Sequence, residues 1–201
     1  MSKSETKSDG TAEATETGES ASGNNAQPHA NIALQSTSSA PTGGEVLEQA
    51  TGPDGETLTL RRAGGGFEIL TNGRPLMASA IRRSEVELVN IGMVPLRDRN
   101  DITVLLCGLG MGHMLAHLLA SPRVIRVDVV EHAAPIIEWN RTHLSTLHHQ
   151  PPLADSRVHV HQKGLSDYLR DMRYGLIPDL KLEGGGYLAV MLDLDRGFTH
   201  P

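Results

Sequence analysis

Residues 102–131 read ITVLLCGLGMGHMLAHLLASPRVIRVDVVE, and the fold is decided in this stretch. Val104, Leu105, Leu106 and Cys107 form a continuous apolar run, which suits a strand buried on both faces of a parallel sheet. Gly108, Gly110 and Gly112 then make a turn, and Met111, Met114, Leu115, Leu118 and Leu119 fall on one helical face. Residues 125–130 supply a second strand that ends at Glu131. Residues 102–122 carry no Asp, Glu, Lys or Arg and are about as long as a membrane span, but three glycines, His113 and His117 inside them argue against a spanning helix.

Downstream the alternation continues. Pro135 suits the first turn of a helix whose residues Ile136, Ile137, Asn140, Leu144 and Leu147 share one side. Residues 157–161 read as a third strand, 166–172 as a short helix and 188–192 as a fourth strand ending at Asp193. Strands and helices in this order predict an α/β protein with a Rossmann-like, doubly wound, mostly parallel sheet and right-handed crossovers. Upstream, residues 57–62, 67–70 and 75–78 are short alternating segments separated by Asp54-Gly55, the triplet Gly64-Gly65-Gly66 and Asn72-Gly73. Asn-Gly is a strong hairpin signal because a type I′ turn needs positive φ at both central residues. A small antiparallel β-meander is expected there. Ser84 followed three residues later by Glu87 has capping-box spacing and predicts a helix over 85–92. Residues 1–44 hold two lysines, five acids and no aromatic residue, a composition that predicts a disordered tail. The expected organisation is a tail over 1–44, a β-hairpin region plus helix over 45–100, and a partial Rossmann-like nucleoside-binding domain over 101–201.

The chain has 201 residues, 38% hydrophobic and 21% charged, with 18 Lys+Arg against 24 Asp+Glu. A net charge of -6 and a single cysteine argue against a nucleic-acid binder, a disulfide-stapled secreted domain and a cysteine-rich zinc module. Residues 4–23 lack the apolar stretch of an export signal, so a cytoplasmic protein with no membrane association is expected.

The glycine turn stands between strand and helix, where missing side chains let a ligand reach the backbone. Glu131 follows Gly108 by 23 residues at the end of the next strand, where a carboxylate can accept two hydrogen bonds from a ribose diol. A tight turn beside a solvated glutamate is the structural alternative. The dinucleotide fingerprint is G-x-G-x-x-G, but here the third glycine comes one residue early and His113 takes the sixth position. That spacing favours an S-adenosylmethionine-type ligand over NAD. His113 and His117 have the spacing of a metal-binding H-E-x-x-H, but Met114 occupies the place of the glutamate, and no metal is expected. His148, His149, His159 and His161 lack a nearby Cys or acidic pair and read as ordinary histidines, Cys107 as a buried small hydrophobe and Trp139 as a packing residue.

Residues 104–112 (VLLCGLGMG), 129–144 (VVEHAAPIIEWNRTHL), 155–160 (DSRVHV) and 192–197 (LDLDRG) resemble spermidine synthase-like proteins. These are an aminopropyltransferase-related branch of the class I S-adenosylmethionine-dependent methyltransferase superfamily. Residues 67–88 resemble the hairpin and first helix that precede the domain in that group, and the likeness covers roughly 55–197. It implies binding of S-adenosylmethionine, decarboxylated S-adenosylmethionine or methylthioadenosine, with Gly108, Gly110 and Gly112 against the ligand and Glu131 on the ribose. It further implies a small-molecule substrate such as a polyamine, with Asp193 as proton acceptor and Asp195 holding a cationic amine; a homo-oligomer is compatible with it. The chain departs from the aminopropyltransferase pattern at Met111 and at Gln162-Lys163-Gly164, where that group has aspartates. It departs again in residues 193–198, where the second acid comes one residue early and the proline is absent. The sequence also stops where the resembled domain continues, which suggests truncation or completion by a partner and an open edge beside the fourth strand.

Aminopropyl and methyl transfer are both in-line displacements at a carbon next to sulfonium, so the protein mainly aligns the reactants and, for an amine, removes a proton. The leading expectation is a spermidine synthase-like transferase. A small-molecule methyltransferase is the alternative within enzymes, and a non-catalytic remnant or assembly partner the alternative outside them. On this reading Glu131→Ala abolishes nucleoside binding with little effect on folding.

Overall fold

A computed structural model of the chain describes residues 43–177, 180 and 186–193. The tail expected over 1–44 lies outside the described residues except for Gly43 and Gly44. Four strands, β1 (Glu45–Thr51), β2 (Thr57–Ala63), β3 (Gly66–Thr71) and β4 (Arg74–Ala78), form an antiparallel sheet in the order β1-β2-β3-β4. The meander is therefore present, with β1 added at its edge. Asn72 (φ 48) and Gly73 (φ 77) both take positive φ, and the Asn72 side-chain oxygen accepts the Thr57 N–H at 2.9 Å.

Helix α1 (Arg83–Met93) follows, and its N-terminus departs from the capping-box reading. A turn closed by Ile81 N–H on the Ala78 carbonyl sets the helix off early, and Val86 N–H already donates to Arg82 O at 3.1 Å. Ser84 thus lies inside the first turn, and Arg82 is an N-cap without a side-chain bond.

The second sheet consists of β5 (Ile102–Cys107), β6 (Val124–Glu131), β7 (Val158–Gln162) and β8 (Ala189–Leu192), all parallel, in the order β7-β6-β5-β8. Between them run α2 (His113–Leu119), α3 (Ala134–Arg141) and α4 (Leu165–Arg173). All six residues of β5 are buried, as its apolar run requires. Expectation and structure differ after α3: the helix ends at Arg141, Thr142 leaves helical geometry (φ -107, ψ -97), and Leu144 and Leu147 belong to a separate 3-10 turn. Among the described residues β8 is an edge strand, with Val190 and Leu192 more than half exposed.

Two polar devices hold these layers. Glu48 of β1 accepts the Trp139 indole N–H at 2.7 Å and lies 3.0 Å from His143 Nε2, which ties the antiparallel sheet to α3. Inside the parallel sheet, Asp128 is fully buried and accepts Arg126 through Nε (2.6 Å) and Nη2 (2.9 Å) and His161 Nε2 (2.7 Å). Burial alone would raise this carboxyl, but the bonds from His161 and Arg126 outweigh it and draw its pKa down to about 2. Removing one partner of a buried pair strands the other charge, so Asp128→Ala is expected to lower the unfolding free energy by about 3 kcal/mol or more. Urea denaturation checks this, and a loss under about 1 kcal/mol would show that water already screens the network.

Candidate functional site

The carboxyl ends of β5, β6 and β8 open into a cleft of about 1230 Å³. Gly108, Gly110, Glu131 and Asp193 line it from the parallel sheet. Residues 53–56 at the tip of the β1–β2 hairpin, with Leu58, Leu76 and Met77, line it from the antiparallel sheet. Lys163 to Asp167, at the start of α4, complete the wall. A crevice outside the carboxyl ends of parallel strands is where ligands bind in open α/β sheets.

The turn after β5 is glycine-rich for steric reasons that can be named. Gly108 has φ 92, and a methyl group there would overlap the backbone carbonyl oxygen of Asp193, whose own N–H donates to Cys107 O at 2.8 Å. Gly110 has φ 53, and a Cβ on it would stand 3.3 Å from Met77 Sδ and 3.8 Å from Asp193 Oδ2. Gly112 differs from the other two. It caps α2 with φ 80 and faces Asn140 and His148 rather than the cleft lining.

Glu131 ends β6 beside this turn. Its Oε2 accepts the Leu109 N–H at 2.9 Å and its Oε1 accepts the Ala133 N–H at 2.8 Å. A carboxylate offers about four lone-pair positions, so each oxygen keeps one for a further donor. The two bonds also correct the expectation that Glu131→Ala has little effect on folding: that change removes the acceptor for two backbone N–H groups and disturbs the turn as well as the cleft lining.

Asp193 and Glu85 set the electrostatics of one end. Glu85 lies in the first turn of α1, and its Oε2 is buried without a hydrogen-bond partner. Burial first, and the neighbouring Asp193 second, push its pKa up to about 7. Asp195, the expected amine contact, lies outside the described residues. Lys163, in the segment Gln162-Lys163-Gly164 that lacks the expected acid, lines the cleft with Gly164 while its Nζ donates to Asp171 Oδ2 at 2.8 Å. Met111, the other departure, is only 1% exposed and belongs to the core.

The remaining candidates fall away from the cleft. His113 is buried, its Nε2 has no hydrogen-bond partner, and burial foremost pushes its pKa down to about 4, so it is neutral. His117 bonds to Asn90 Oδ1 at 2.8 Å. Cys107 is fully buried, and burial raises its thiol to about 11, the condition of an inert thiol. Among the described residues no group of three or more His, Cys, Asp or Glu is placed to hold a metal ion, and no helix is long and apolar enough to cross a membrane. The sequence reading missed residues 53–56, Leu76 and Met77 as cleft lining; their only signal was the hairpin pattern, which says nothing of what a hairpin covers.

No protein-family model matches this sequence, and no curated protein matches it. Solved structures do. A spermidine synthase in complex with the transition-state analogue AdoDATO superimposes with a TM-score of 0.54 at 19% identity over 63% of this chain. Spermidine synthase from Thermotoga maritima gives the same 0.54, 19% and 63%. The chain therefore has a spermidine synthase-like fold. It spans 43% of the length of each of these structures, which is under half.

Gly108→Ala combines a strained positive φ with an overlap against Asp193, and is expected to lower the unfolding free energy by about 2 kcal/mol or more, read by urea denaturation. Glu85 holds its proton more tightly folded than unfolded, so its contribution favours the folded state at low pH and is lost as pH rises from about 4.5 to 7. His113 acts in the opposite sense, its contribution being lost as pH falls from 6.5 towards 4. Glu85→Gln is therefore expected to raise the thermal midpoint at pH 8 and leave it nearly unchanged at pH 5; an equal effect at both values would refute the assignment.

Proposed function

We propose that the cleft binds an S-adenosyl-type sulfonium nucleoside and that the chain is a spermidine synthase-like transferase of the aminopropyl group. The observation that carries this reading is the meeting of Gly108, Gly110, Glu131 and Asp193 along one cleft at the strand ends. The nucleoside lies against the side-chain-free faces of Gly108 and Gly110. Its ribose hydroxyls donate to the lone pairs of Glu131 that Leu109 and Ala133 leave open. The volume of about 1230 Å³ exceeds a usual small-molecule site of about 300–1,000 Å³, which suits a nucleoside together with a second substrate.

Decarboxylated S-adenosylmethionine supplies the electrophile, a carbon made reactive by the adjacent sulfonium. The nitrogen of an acceptor amine attacks that carbon in line, the carbon–sulfur bond breaks, and its electron pair stays on sulfur, leaving methylthioadenosine. The proton released by the amine passes to the Asp193 carboxylate. Holding both reactants in this alignment is the larger part of the rate gain, and proton removal by a positioned carboxylate adds about 10²–10⁴-fold. A polyamine is the acceptor class that suits a cleft whose end carries Asp193 with Glu85 nearby.

Thermal unfolding of the full chain with methylthioadenosine, S-adenosylmethionine, its decarboxylated form and NADH tests the reading. A ligand at about one hundred times its dissociation constant adds about 2.7 kcal/mol of stability. A raised midpoint with the adenosyl-sulfur compounds alone is the expected result, largest for the decarboxylated form. A preference for intact S-adenosylmethionine would favour methyl transfer instead, and a cooperative transition that none of them moves would refute the nucleoside site.

A further inference from the structure

The glycine turn is held by more than Glu131. Asn140 on α3 is 2% exposed, and its Nδ2 donates to Gly110 O at 2.8 Å and to Ile136 O at 2.9 Å. His148, in the loop that follows the Leu144–Leu147 turn, places Nε2 3.0 Å from Met111 O. A carbonyl only accepts, so this nitrogen carries the proton. The His148 ring is braced edge-on against His113, with centroids 5.2 Å apart.

Three consecutive residues of the turn therefore each surrender one backbone polar atom to a side chain from a different segment: Leu109 N–H to Glu131, Gly110 O to Asn140 and Met111 O to His148. The turn needs such outside control. Gly110 accepts φ of either sign at little cost, so its own preferences do not fix the peptide plane that follows it. That plane is rigid and trans, so anchoring the Gly110 carbonyl on Asn140 also fixes the direction of the Met111 N–H. Without the anchor, rotation about the flanking bonds would carry the carbonyl to the other side of the turn. Gly112 belongs to the same arrangement, because a Cβ there would meet Asn140 Oδ1 at 2.7 Å and His148 Nε2 at 3.2 Å.

We propose that Asn140 and His148 are positioning residues that preset the Gly110–Met111 backbone for the nucleoside. The inference rests on the nucleoside reading of the cleft, since neither side chain lines it and both act through the turn.

The test uses the full chain, methylthioadenosine as the probe and calorimetric titration of folded protein. Asn140→Ala and His148→Leu should each weaken binding about tenfold, whereas His148→Gln, whose amide can still donate, should stay within about threefold of the parent. Hydrogen exchange supplies a readout without ligand: amides of Leu109 to Gly112 should exchange at least about tenfold faster in Asn140→Ala while those of β5 keep the parent rate. Lowered thermal midpoints with unchanged affinity and unchanged exchange at the turn would mean a purely structural role and would overturn the inference. If Asn140→Ala does not fold, the contrast between His148→Leu and His148→Gln decides, equal affinities counting against it. A parent chain that does not bind methylthioadenosine removes the nucleoside reading itself, and the inference with it; a parent that binds while all variants match it removes the inference alone.

Discussion

The carboxylate of Glu131 joins the two parts of the backbone on which the site is built. One oxygen holds the Leu109 N–H, just past the end of β5, and the other holds the Ala133 N–H, at the entry to α3. The turn after one strand and the helix after its neighbour are thereby fixed to a single rigid group. The approach of Asp193 depends on the same construction. The chain just past β8 brings the Asp193 carbonyl against Gly108, an approach that leaves no room for a side chain on that turn. Strand ends that would otherwise diverge with sheet twist are thus drawn into one lined cleft.

Much of the fold was legible because its signals are local. The run from Val104 to Cys107 is apolar throughout and is buried throughout. Asn72-Gly73 demands positive φ and has it. The acids at the ends of the second and fourth strands could be placed in one region once the strands were known to be parallel. What failed depended on tertiary context. Ser84 has the right partner three residues on, but the turn at Ala78 to Ile81 starts the helix before it and cancels the capping role. Leu147 shares a helical face with Ile136 in the sequence, yet the helix stops at Arg141. Asn140 sat in that apolar register as if it were one more core position. Nothing local shows that its amide reaches a carbonyl thirty residues earlier in the chain.

The buried polar groups divide into two kinds, those saturated by partners and those, such as Glu85 and His113, left with an unpartnered atom. Asp128 is saturated by Arg126 and His161, so its charge survives in the sheet interior. Glu85 has a buried oxygen with no partner, and its neighbourhood is balanced by a proton instead. Saturated charges rigidify a fold, whereas an unsatisfied one is tolerated where the surrounding structure over-determines it, a condition that concentrates at functional sites. Glu85 stands where Asp193 reaches the cleft.

The departures from the aminopropyltransferase pattern fit the same physical picture. Met111 points into the core, so the glycine turn presents no charge from that position. The segment Gln162-Lys163-Gly164 lacks the acid that the resemblance implies, and the Lys163 ammonium within it is engaged by Asp171, which compensates much of its charge locally. Asp54, Glu56, Glu131, Asp167 and Asp193 all line the cleft, which gives it an acidic lining. On the proposed reading, a sulfonium nucleoside held by Glu131 would direct its reactive carbons away from the ribose, towards Gly110 and what lies beyond it. Beyond Gly110 stand the Met77 thioether and the Asp193 carboxylate, an apolar surface for an alkyl chain beside a base for its amine. The proposed chemistry therefore requires the side chain at 193 to be acidic while tolerating a neutral residue at 111 and the lack of an acid in residues 162–164.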